Sequence, residues 1–292
     1  MTETPGNTGD RDLTRRTVLA AGAVTAVAVG LGGAVAVDAS ADDESADTCY
    51  TLTSELVEGP YYIDADKIRR NVTEDQDGIP LALTLKVIDA QTCRPLKDAA
   101  VDIWHCNAVG VYSGYEASGS GGGPAPTGTP PGTPTGTPTG EPPTGGPGGP
   151  GGPGGHQEPT DDSRYLRGTW RTDRHGHVAF RTVFPGWYQG RCVHIHVKVH
   201  VDGAWTDAGY EGGHTCHTGQ LFFSERSVLL SGEVEPYSGN TAARTTLDED
   251  SIYPGNGHEG GLLYLSYDRG HIARGVRARL TLGVAPDATH DG

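Results

Sequence analysis

The sequence holds little that would build a helical protein or a sulfur-bound metal site. It contains one methionine, the first residue, so no thioether is on offer to a copper ion. Its five cysteines include no C-x-x-C pair, which argues against a zinc knuckle. Basic residues are scarce, 22 Lys and Arg against 37 Asp and Glu, giving a formal charge of −15. That balance disfavours nucleic acid and anionic lipid as partners and favours solubility outside the cell. No long amphipathic helical pattern is present. Glycine and proline, by contrast, are plentiful, 45 and 20 in 292 residues. A core of useful size is possible only if they are gathered in one place.

They are gathered. From about 118 to 155 the chain is Gly, Pro and Thr, with TPTG and GGP repeats and almost nothing apolar. Such a segment cannot bury enough surface to offset its ordering entropy, so it reads as a disordered or partly polyproline-like insertion into a loop. GGPGGPGGP is too short for a collagen triple helix, and the TPTG register breaks the three-residue period.

The N-terminus pairs Arg15 with Arg16, continues through a Gly/Ala-rich apolar run from Val18 to Val37, and closes on Ala39-Ser40-Ala41. The pattern predicts a twin-arginine export signal over 1–41 and a bacterial protein that leaves the cytoplasm, secreted or extracytoplasmic. The run is weakly hydrophobic, which speaks against a membrane span. Its removal takes away four acids and three arginines, leaving a charge of −14.

In the remaining chain, Leu81–Ala90 alternates apolar and polar and reads as a strand, as do Ala100–His105 and Val276–Val284. RYLRGTW and HVAFRTVF, joined by a turn at Asp173–Gly176, predict a hairpin. Gly219–Phe223 and Leu262–Tyr267 are further short strands, and Ser224–Ser231 a single helical stretch. Many short strands between turns predict an all-β fold: one β-sandwich domain over 42–284 with long irregular loops, followed by a tail, 285–292.

The strongest pattern is Pro185–Val201. Val193, Ile195, Val197, Val199 and Val201 alternate with His194, His196, Lys198 and His200, so His194 and His196 share one strand face. Two imidazoles at that spacing can bind one Zn, Cu or Fe ion. Lys198 and His200 read as the wet face of a half-buried strand. Tyr188 and Arg191 lie just upstream, close enough to join the same site.

The segments EGPYY, VDIWHCNAVGVYSGY, RGTW, PGWYQGRCVHIHVKV and GQLFF, in that order, resemble an intradiol ring-cleavage dioxygenase of the protocatechuate and catechol dioxygenase family, in its secreted, twin-arginine-exported branch. The resemblance runs from about Cys49 to Val284 and implies a β-sandwich. It also implies one mononuclear non-haem Fe(III), held by Tyr112, Tyr188, His194 and His196. Phenolate is a hard anionic donor suited to a ferric ion, and two phenolates with a hydroxide would balance its charge. Tyr188 is implied as leaving ligand and base, Arg191 as a cation beside the developing charge, and Gln220 as a polar residue near the oxygen side. Gly59, Pro60 and Tyr61 match a substrate wall, while Trp104 reads as core. The implied reaction cleaves a catechol-type diol with O2 to a cis,cis-muconate-type diacid. The competing readings are a non-catalytic secreted metal- or polymer-binding sandwich and a copper site. For the cysteines the expectation is Cys49–Cys93 and Cys192–Cys216 bonded, with Cys106 reduced.

Overall fold

The computed structural model describes residues 49–64, 67–118 and 156–290; the expected export signal and nearly all of the Gly/Pro/Thr insertion lie outside them. In β1 (Pro80–Asp89), Leu81, Leu83, Leu85 and Val87 are buried while Ala82 and Thr84 are exposed, the period of two that one wet face requires. The same alternation governs β10 (Val276–Val284), with Arg277 and Arg279 outward, and β4 (His177–Val183). These strands, with the short β9 (Tyr264–Ser266), form one sheet in the order β4-β1-β10-β9. β1 runs parallel to β10, Leu81 opposite Val276, and antiparallel to β4.

The second sheet has the order β3-β2-β5-β8, from β3 (Arg167–Arg171), β2 (Ala100–Trp104), β5 (His194–Val201) and β8 (His214–Phe222). Its inner residues Val101, Ile103, Ile195, Val197, Val199 and Leu221 share one apolar cluster with Leu83, Leu85, Phe180 and Leu280 of the first sheet. Each such fully buried side chain stabilises the fold by about 1.5–3 kcal/mol. A two-residue ribbon, β6 (Ala204–Trp205) with β7 (Tyr210–Glu211), extends from the end of β5, and α1 (Glu225–Ser231) follows β8 from an N-cap at Ser224.

Three sequence expectations are corrected. β3 and β4 are not a hairpin: β3 pairs with β2 and β4 with β1, so the turn at Asp173–Gly176 carries the chain from one sheet to the other. The expected wet face of β5 is mostly covered: Lys198 is 5% exposed and His194 and His196 2% each, and His200 alone on that face is half-buried. The N-terminal arm covers that face: the Leu56 amide donates to the Thr218 carbonyl at 2.9 Å and Gln220 Nε2 to the Val57 carbonyl at 2.9 Å. Cys192 and Cys216 are both reduced, while Cys49–Cys93 is bonded and Cys106 is a buried thiol. The ladder gives the reason. Cys216 lies between Thr215, opposite His200, and His217, opposite Val199, at the far end of β5 from Cys192. The strand from His194 to Val199 alone spans roughly 16 Å between those levels, against the 7 Å limit for a bridge.

Two hydrogen bonds tie the arm to the last strand: the Thr53 amide donates to the Gly283 carbonyl at 2.8 Å, and the Gly283 amide donates to Thr53 Oγ1 at 3.1 Å.

Candidate metal centre

Two tight loops deliver the tyrosines. After β2, Asn107 Oδ1 accepts the Val109 and Val111 amides at 3.1 and 3.0 Å, folding the chain so that Tyr112 turns back over the sheet. Gly110, at φ +85°, has the Trp187 carbonyl oxygen 2.3 Å from where a Cβ would stand. A side chain there would push the Tyr112 loop off the Tyr188 loop. The Gly186 amide donates to the Asn107 carbonyl at 3.0 Å, and Trp187 Nε1 donates to the Ala242 carbonyl at 2.9 Å, fixing Tyr188 from the other side. His105 of the W-H-x-N run spends both ring nitrogens on Cys106 O and Thr182 Oγ1, each at 2.7 Å, and so serves the fold.

β5 delivers the histidines. Four donor atoms converge in the buried space above it: Tyr112 Oη lies 3.4 Å and Tyr188 Oη 3.3 Å from His194 Nε2, which lies 3.1 Å from His196 Nε2. His194 Nδ1 donates to the Cys192 carbonyl at 2.7 Å, which leaves the Nε2 lone pair aimed at the cluster. Burial lowers the His194 pKa to about 3, with the Arg191 charge adding to it, and pushes His196 well below the usual range. Both imidazoles are therefore neutral. Burial also drives both phenols above their ordinary value, and for Tyr112 its neighbour Tyr188 adds to the rise.

This donor set fits a ferric ion. Two neutral imidazole nitrogens lie 3.1 Å apart with two phenols beside them, and a cation among them could take all four as donors once the phenols ionise. The phenols can ionise in so dry a site only against a strong positive charge, and a phenolate prefers the hard ferric ion. Among the described residues no group of three or more His, Cys, Asp or Glu is placed to hold a metal, so the site has four donors only because tyrosine supplies two.

No protein-family model matches this chain, and no curated protein does. Solved structures do match. An intradiol ring-cleavage dioxygenase from Tetranychus urticae superposes with a TM-score of 0.61 at 29% identity, over 82% of this chain and 98% of that one. A second solved dioxygenase gives 0.62 at 28%, over 83% and 98%. The chain has the architecture of an intradiol ring-cleavage dioxygenase.

In this dioxygenase architecture the remaining expected site residues also assemble. Arg191 Nε donates to Asp250 Oδ2 at 3.0 Å, and its Nη2 to Gln220 Oε1. Burial works against the guanidinium charge, yet the Tyr188 phenol and the Asp250 carboxylate outweigh it, and the Arg191 pKa rises. Gly59 packs on His196: a Cβ there would stand 3.1 Å from Cε1. Tyr61 stacks on Tyr112 with centroids 4.8 Å apart, and Pro60 between them is exposed.

Sequence reading missed two residues. Trp104 is buried as expected, but not in the sandwich core; it belongs to the aromatic cluster of the site. Its ring lies flat on His196, 4.8 Å between centroids at 7°, because β2 register sets Trp104 opposite His196. Asp250 was overlooked within a segment read as polar and irregular. Its carboxylate is fully buried and also accepts the amides of Cys192 at 2.6 Å and of Ile252 and Tyr253 at 2.8 and 3.0 Å. The only hint was an acidic residue directly ahead of the Ser251-Ile252-Tyr253 run.

Proposed function

We propose that this protein is a mononuclear non-haem Fe(III) enzyme that cleaves a catechol-type aromatic between its two hydroxyl-bearing carbons with O2. The product is a cis,cis-muconate-type diacid carrying both oxygen atoms. The observation behind this reading is the convergence of Tyr112, Tyr188, His194 and His196 on one buried point. Those four residues would hold the iron, whose chemistry is to bind the diol as a dianion and prepare it for O2.

The chain supplies the rest. A diol must give up two protons to chelate, and Tyr188 Oη, at the edge of the cluster beside Arg191, is placed to take one. Arg191 keeps its charge at every working pH and stands where negative charge builds on the ring during cleavage. Gln220, held by the Val57 carbonyl, orients that guanidinium. Gly59, Pro60 and Tyr61 wall the pocket, and the stacked Tyr61–Tyr112 pair keeps bulk water from the ring-binding side. We also read residues 1–41 as a twin-arginine leader, so that the enzyme works outside the cytoplasm; N-terminal sequencing of exported protein tests this.

The deciding experiment is the visible spectrum of the purified protein with and without catechol, followed by product analysis under ¹⁸O₂. Tyrosinate-to-Fe(III) charge transfer, a catechol-induced shift and a doubly labelled muconate are expected. A colourless zinc protein, or a semialdehyde product from cleavage beside the hydroxyls, overturns the reading.

A further inference from the structure

Lys198 lies two residues beyond His196 on the same face of β5, yet it is sealed from solvent, 5% exposed. Its ammonium meets the carboxylate of Glu58, itself 4% exposed, and sits 4.3 Å from the centre of the Tyr62 ring. Leaving either member of such a buried pair without its partner is costly. Glu58 opens the segment read as the pocket wall, and three contacts of that segment fall on different parts of the site. Gly59 rests on His196, Tyr61 on Tyr112, and Tyr62 on Trp104 with centroids 4.9 Å apart. From outside, His156 also meets Glu58, and the Gln157 amide donates to the Pro60 carbonyl at 2.9 Å. The aromatic and glycine contacts are broad and can slide; a buried ion pair cannot.

We propose that Lys198 and Glu58 are positioning residues that lock the wall segment 58–62 onto the metal-bearing strand, and so set how tightly the aromatic diol is held. The proposal rests on the catechol-cleaving reading for its substrate, but the lock itself is a property of the chain. Neither residue touches the four donor atoms or Arg191. Loss of the lock therefore weakens substrate binding and leaves the chemical step in place, a rise in KM with kcat retained.

The test uses the purified full chain as wild type, Lys198→Met, Lys198→Arg and the double variant Glu58→Gln/Lys198→Met, which removes both buried charges and covers the case in which one unpaired charge prevents folding. In Lys198→Met and the double variant, amide hydrogen exchange over 57–63 rises about tenfold or more while β1 and β10 stay protected. With bound iron unchanged, KM for catechol rises about tenfold and kcat stays within about twofold of wild type. Lys198→Arg, which can still pair with Glu58, restores both. Wild-type exchange over 57–63 in the double variant overturns the lock, as does a fall in kcat at constant KM. If the wild type does not cleave catechol, the proposed function fails, while the exchange measurement still decides whether the lock exists.

Discussion

The Asp250 carboxylate receives Arg191 Nε at 3.0 Å across 59 residues of sequence, and the same oxygen accepts the Cys192 amide. One buried acid thus holds both the site cation and the backbone leading into β5. Burial alone would raise its pKa, but Arg191 and three backbone amides lower it to about 2. The usual aspartate value is about 3.9, so the stabilisation is complete above that pH and is lost as pH falls through about 2. Denaturant unfolding at neutral pH and at pH about 3 should show an acid-dependent loss in wild type that is smaller in Asp250→Asn. At neutral pH that variant should also keep its iron and lose turnover, since Arg191 is no longer aimed.

Tyr188→Phe separates metal binding from chemistry. Tyr112, His194 and His196 remain, so iron content should hold while turnover drops by about 10²-fold or more, the scale of a lost acid–base group. Arg191→Ala should still bind catechol with a spectral shift and open the ring slowly, because the cation matters as charge develops. Wild-type turnover in Tyr188→Phe would remove Tyr188 from the ligand set.

Trp104→Ala leaves a void against His196 and should destabilise the fold by about 3–5 kcal/mol, with weakened iron affinity. Trp104→Phe, which keeps an aromatic face on the imidazole, should lose less of both. Iron titration alongside thermal melts checks the pair.

For the cysteines, thiol labelling of the denatured, unreduced protein should find three free groups: Cys106, Cys192 and Cys216. The Cys49–Cys93 bridge closes a loop with a separation of 44 residues, and its removal by Cys→Ser exchange should cost about 4 kcal/mol on chain-entropy grounds. A labelled count of one would restore the second bridge.

The histidine pair was legible because its signal is local: the period of two puts His194 and His196 on one face, with Tyr188 a few residues upstream. Tyr112 lies 82 residues from His194, and only the resemblance of its motif brought it into the donor set. The strands of the first sheet were legible for the same reason, one wet face giving clean alternation. Lys198 was misread because burial there comes from Glu58 and Tyr62, some 140 residues upstream. Trp104 looked like any core aromatic, since only the β2–β5 register reveals that it faces His196. The expected hairpin failed because turn chemistry fixes a reversal without saying whether the strands then share a sheet.

The parallel pairing of β1 with β10 has a consequence for how the molecule comes into being. The first strand of its sheet waits for the last, and the arm that roofs the site is fastened at Thr53 to Gly283. A ribosome-bound chain would therefore hold β1 with one edge open until β10 emerges, nearly 200 residues later. Such long-range closure is slow and leaves an unpaired edge exposed during synthesis. A pocket roof that depends on the final strand can exist only once the whole domain has been translated.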